Sequence, residues 1–196
     1  MKRKLLVVGS IIGALLLSGC ASANSAANIG KTEITLNTVQ SSINDILKER
    51  TKYNTANSNL PSGQSLNVNV LRFHVVSAIF DYLADGAKLK ITDGDLAKKK
   101  AEIIAQIGSA DQLPGALVNA SLASKDLNRY LRTVVIADRL SAIVRASGDT
   151  STDGSGVQKL IIAAAKHEGV TINPRYGTWN YTTGNIDAAA PNSALK

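Results

Sequence analysis

Apolar and polar positions divide the chain into an opening block and a long amphipathic body. Leu5-Leu6-Val7-Val8-Gly9-Ser10-Ile11-Ile12-Gly13-Ala14-Leu15-Leu16-Leu17 is almost wholly apolar and follows the cationic Met1-Lys2-Arg3-Lys4. At about 1.5 Å per residue such a run reaches about 20 Å as a helix, short of the roughly 30 Å hydrocarbon core. It has the proportions of the n-region and h-region of an export signal rather than of a membrane span. Further on, Leu36, Val39, Ile43, Ile46 and Leu47 recur at helical spacing, with Thr35 placed to cap them. A longer helix is predicted from about Ser65 to Lys88. Leu66, Val70, Leu71, Phe73, Val76, Ile79, Phe80 and Leu83 form its stripe, which Val68, Val75 and Tyr82 widen. A helix apolar on most sides belongs at the centre of a fold.

Thr92-Asp93-Gly94-Asp95 has the form of a capping box with Asp in the usual Glu position, ahead of Leu96, Ile103, Ile104 and Ile107. A short segment over Asp111 to Ala120 carries Pro114 near its start, and Ser124 opens a helix bearing Leu127, Tyr130, Leu131, Val134, Leu140 and Ile143. Residues 147–156 are rich in Ser, Gly, Asp and Thr and read as a loop. Val157, Leu160, Ile161, Ala164 and Ala165 then form a last helix, with Gly169 as its C-terminal cap. Ile29 to Ile34 reads as two short extended pieces around Gly30, and Val170-Thr171-Ile172-Asn173 alternates like a strand that Pro174 keeps extended. The expected fold is mainly α, with five to six helices and a small β-sheet pairing the N-terminal and C-terminal segments. Its expected bounds are 29–179, between a flexible tether over 20–28 and a disordered tail over 180–196.

Leu17-Ser18-Gly19-Cys20 resembles the bacterial lipobox, in which the first mature residue is a lipidated cysteine. Residues 1–19 are then a removable lipoprotein signal peptide, and Cys20 is the attachment site. Two acyl chains anchor firmly where one does not. Cys20 is the sole cysteine, so lipidation leaves no thiol for a disulfide, a nucleophile or a metal. Loss of Lys2, Arg3 and Lys4 lowers the formal charge from +7 to +4. That excess suits an anionic membrane surface and is too small to point to nucleic acid. Aromatic residues make up 4% of the chain against 44% hydrophobic overall, so the core has to be aliphatic.

Candidate chemistry is sparse. His74 falls within the long second helix and His167 beside Glu168, neither with a partner at ligand spacing, so both read as structural or surface histidines. Gly154-Ser155-Gly156 lacks the strand–turn–helix flanks of a nucleophile elbow. Asp93-Gly94-Asp95 lacks the ligand positions of a calcium loop and is better explained as a cap. Lys98-Lys99-Lys100 reads as the solvated face of its helix. No catalytic, metal-binding or cofactor-binding residues are expected. Asn173, Pro174, Arg175, Tyr176, Gly177 and Trp179 form a structural or recognition motif, with the turn-and-core reading favoured. The expected functional surface is an apolar groove left open between helices.

The order of elements resembles the SurA N-terminal-like chaperone domain. Three segments carry the likeness: Ile29 to Thr35, Leu89 to Leu96, and Thr171 to Trp179. The last is similar to the C-terminal signature of Gram-positive SurA-like lipoproteins. The resemblance implies an extracytoplasmic chaperone that binds unfolded or partly folded exported proteins, and the lipid on Cys20 would hold it at the membrane. SurA and the PrsA foldases insert a prolyl-isomerase domain before the final helix, where this chain has only the loop of residues 147–156. That length is far below an isomerase domain of about a hundred residues, so binding without catalysis is implied. The rival reading is an envelope scaffold holding one folded partner. Replacing Cys20 by Ser is predicted to leave an unlipidated protein that no longer enters the detergent phase on phase separation; unchanged mass and partitioning would contradict the assignment.

Overall fold

The computed structural model describes residues 24–53, 59–148 and 154–189. The signal segment, Cys20, the middle of the 147–156 loop and residues 190–196 lie outside the described residues. Eleven regular elements follow in chain order: β1 (Ser25–Ile29), β2 (Thr32–Thr35), α1 (Leu36–Arg50), α2 (Gly63–Gly86), α3 (Asp93–Ile107), α4 (Leu113–Asn119), α5 (Leu127–Ala146), α6 (Ser155–Glu168), β3 (Val170–Ile172), β4 (Gly177–Asn180) and β5 (Asn185–Ala188). Short 3₁₀ turns at Ala110–Gln112 and Ser124–Asp126 lead into α4 and α5. The mainly helical class and the joining of the two ends by a small sheet are both present.

Helix α2 organises the molecule. It packs against α1, α5, α6, β1 and β5, and buries Leu66, Val70, Leu71, Val75, Ile79 and Phe80 among others. Its polar residues His74 and Ser77 are buried with them. Thr35 caps α1 through its side chain, which accepts the Thr38 N–H at 3.1 Å. Thr92 and Asp95 form the reciprocal capping box of α3. The Thr92 backbone and hydroxyl hydrogen bonds, reinforced by Arg139, hold the Asp95 carboxyl below its ordinary range.

Two expectations about the ends are corrected. The segment assigned to a flexible tether contains four of the five residues of β1, the central strand of a three-stranded antiparallel sheet ordered β2-β1-β3. Ser25, Ala26 and Ala27 are at most 1% exposed. Their apolar signal is weak because their side chains are small, yet small side chains are what let a helix lie close on a strand, and β1 contacts α2 directly. Order here comes from backbone pairing on both edges: Ala27 with Ile34 and Ile172, Ile29 with Thr32 and Val170.

The segment assigned to a disordered tail contains the rest of a second, two-stranded sheet, β4-β5, with Trp179 paired to Ile186. Asn180 builds the connecting turn: its side chain accepts from the backbone N–H groups of Thr182 and Thr183, and its carbonyl from Gly184. Lys99 is a third correction. Rather than lying on a solvated face, its side chain is 21% exposed and bridges Asp138 of α5 at 2.8 Å and Glu102 at 2.6 Å, which raise its pKa.

Gly177 adopts φ +130°, and a Cβ there would lie 1.9 Å from the carbonyl oxygen of Asp187 on the paired strand. Gly177→Ala is therefore predicted to destabilise by about 2–4 kcal/mol, combining backbone strain with a clash that the backbone must relieve. Gly86→Ala, where nothing lies within 4 Å of the added carbon, serves as the neutral comparison. Chemical denaturation of the two variants measures the difference, and equal midpoints would contradict it.

Candidate functional site

Between α2, α4 and α5 lies an open cavity of about 510 Å³ with predominantly apolar walls. Ile46 of α1 and Val70, Phe73 and Val76 of α2 line one side; Leu117 of α4 and Leu127 of α5 line the other. Ile103 of α3 reaches the same space. The reason it stays open is visible in α3, none of whose residues is buried although Ile103, Ile104 and Ile107 share one face. These three only partly pack on a satellite cluster of Leu113, Leu117 and Leu122. Two ion pairs, Lys99–Asp138 and Arg139–Asp95 (2.6 Å), also link α3 to α5.

A polar group interrupts this apolar lining. Ser42 of α1, 1% exposed, donates its hydroxyl to Asp126 Oδ2 at 2.6 Å. Ser42 Oγ also lies 3.2 Å from His74 Nε2. A hydroxyl has one hydrogen, and the short contact to a carboxylate takes it. His74 Nε2 must then bring its own hydrogen and donate to Ser42. The resulting order, imidazole to hydroxyl to carboxylate, places serine in the middle, unlike a nucleophilic relay in which the imidazole stands between the other two. It is a tie joining α1, α2 and the entry to α5.

His74 is 3% exposed, and burial lowers its pKa. Asp126 pulls the other way, while Arg129 and Lys125 add to the lowering. Both cations are otherwise engaged: Lys125 with Asp45 at 2.9 Å, Arg129 with Asp81 at 3.9 Å. A second contact between the helices runs beside the tie, from the Thr133 hydroxyl to Ser77 at 3.0 Å.

His74 is thus a structural histidine, now with a named partner, and His167 is a surface one, beside the Tyr82 hydroxyl at 3.1 Å and Glu168 at 2.9 Å. Residues 173–179 serve the fold. Asn173 donates its backbone N–H to Ala26 O and its side-chain amide to Ser25 O, Tyr176 and Trp179 are buried, and Arg175 stacks over the Tyr176 ring at 5.8 Å. They do not line the groove. Asp126 and Ser42 were not singled out from the sequence. Ser42 carried a usable signal: with Val39, Ile43 and Ile46 it falls on the buried stripe of α1, where a polar residue demands a partner.

Among the described residues no group of three or more His, Cys, Asp or Glu is placed to hold a metal ion, and no helix is long and apolar enough to cross a membrane. No protein-family model matches the chain, and no curated protein or solved structure matches it.

A lowered histidine pKa has a defined consequence for stability. In the unfolded chain the imidazole takes up a proton near pH 6.5, whereas in the fold it does so only at lower pH, so the unfolded state binds more protons in that window. Stability is predicted to fall as pH drops below about 6.5, by at most about 1.4 kcal/mol per pH unit from this one group. His74→Gln, which keeps a donor for Ser42, is predicted to flatten that slope. Urea denaturation between neutral and mildly acidic pH is the measurement, and an unchanged slope in the variant would refute the assignment.

Proposed function

We propose that the protein is a lipid-anchored, chaperone-like holdase on the extracytoplasmic face of the cell membrane, binding unfolded or partly folded exported polypeptides through the groove between α2, α4 and α5. The observation that carries this reading is a helix, α3, whose apolar face is left incompletely covered beside a cavity of about 510 Å³. Apolar surface that a fold leaves unburied in a concave site favours apolar side chains from another chain. Export and anchoring rest on the opening signal and on Leu17-Ser18-Gly19-Cys20.

The absence of an isomerase insertion supports holding rather than catalysis. Helix α5 ends at Ala146 and α6 begins at Ser155, so only residues 147–154 connect them. An isomerase stabilises a twisted peptide bond against a barrier of about 18–20 kcal/mol, which calls for donors and shape matched to that state. A groove with apolar walls binds side chains without distinguishing the twisted bond from the planar one.

Two assays on the soluble chain from residue 21 test this. The protein is predicted to suppress aggregation of several unrelated unfolded proteins while leaving the slow phase of proline-limited refolding unaltered or retarded. Ile103→Asp, a change at a half-buried wall position, should raise the concentration needed for half-suppression by about tenfold, the equivalent of about 1.4 kcal/mol of lost binding. Acceleration of the slow phase, or capture of a single folded envelope protein with no effect on unfolded ones, would overturn the reading.

A further inference from the structure

We infer that the groove selects apolar polypeptide segments carrying a lysine or arginine, whose cation is received by Asp126. The inference rests on the groove being the client site. Asp126 stands at the start of α5 on the groove wall and is only half-buried. Among the described residues it has no ion-pair partner within 4.0 Å. The cations nearest in sequence are committed elsewhere, Lys125 to Asp45 and Arg129 to Asp81. Among the described residues lining the groove Arg72 is the one cationic side chain, and it reaches toward Asn185 of the C-terminal hairpin at 3.5 Å.

The carboxylate is also fixed in place. The Ser42 hydroxyl holds Oδ2, and His74 behind it donates to Ser42, so the chain of donors ends on Asp126 and keeps it oriented. A carboxylate accepts at several lone-pair positions, and one hydroxyl occupies one of them. An ammonium or guanidinium arriving with an apolar segment completes the set in a site whose walls exclude part of the water, where a charge pair is worth more than on an open surface. Lysine and arginine suit the geometry because their aliphatic stems lie along apolar walls while the charged end reaches a polar group.

The test uses the full soluble chain from residue 21 and a fluorescent, end-capped peptide of Leu, Ala and Phe with one central lysine. Two analogues replace that lysine by norleucine or by glutamate. The lysine peptide is expected to bind about threefold to tenfold more tightly than the norleucine peptide, within the range for a partly screened pair. Asp126→Asn keeps an acceptor for Ser42 and should abolish the difference between the lysine and norleucine peptides. Independently of any variant, the difference should shrink as salt is raised from about 0.01 M to about 1 M and the Debye length falls from about 30 Å to about 3 Å. Equal binding of the two peptides, or a preference that survives in Asp126→Asn, overturns the inference and leaves the holdase reading standing. Tighter binding of the glutamate peptide overturns it in favour of the surrounding cations. Failure of all three peptides to bind overturns both readings.

Discussion

A helix of 24 residues that is apolar around most of its circumference has no stable place at a surface, and the rest of the chain is arranged by the need to enclose it. Helix α2 is about 36 Å long at standard rise. No single neighbour covers such a length, so α1, α5, α6 and both sheets each take a portion. The small sheet closes the enclosure by drawing β1 and β3, from the two ends of the domain, against each other. Two short strands of this kind would not persist alone; on the flank of α2 they share a hydrophobic surface that holds them in register.

Enclosure of α2 by α1, α5, α6 and the sheets leaves one side less complete than the others, and the groove forms there. Helix α3 meets its neighbours through ion pairs to α5 and through isoleucines that are only partly buried. Charged contacts fix position without requiring that every neighbouring apolar atom be covered, whereas packing removes the very surface it uses. Beside this opening the Asp126–Ser42–His74 tie joins three elements through polar groups, so the groove wall carries a carboxylate held in a fixed orientation.

Most of this was legible in the residues. Periodicity located the helices, the Thr92–Asp95 pair announced its capping box, and the alternating Val170–Ile172 segment pointed to a partner near Ile29. What escaped had physical reasons. Strand β1 is written in Ser, Ala and Asn, whose burial is a matter of size rather than hydrophobicity. The β4–β5 hairpin depends on Asn180 folding its side chain into the turn, a local arrangement that hydropathy does not register. Lys99 looked solvated because its partner Asp138 lies 39 positions away on another helix. Asp126 was hidden in the same manner, as an acid at a helix entry whose neighbours are fixed only by tertiary structure.

The early start of β1 has a mechanical consequence. Asn24 is already bonded to the fold, its carbonyl accepting the Leu36 N–H at 2.7 Å, so four peptide units separate it from Cys20. Fully extended, they span at most about 14 Å. A lipid on Cys20 would therefore hold the domain as a short-legged stand rather than a balloon on a string. The body would rest within about two Debye lengths of the headgroups at physiological salt. Its N-terminal edge would then be the part of the domain nearest the bilayer.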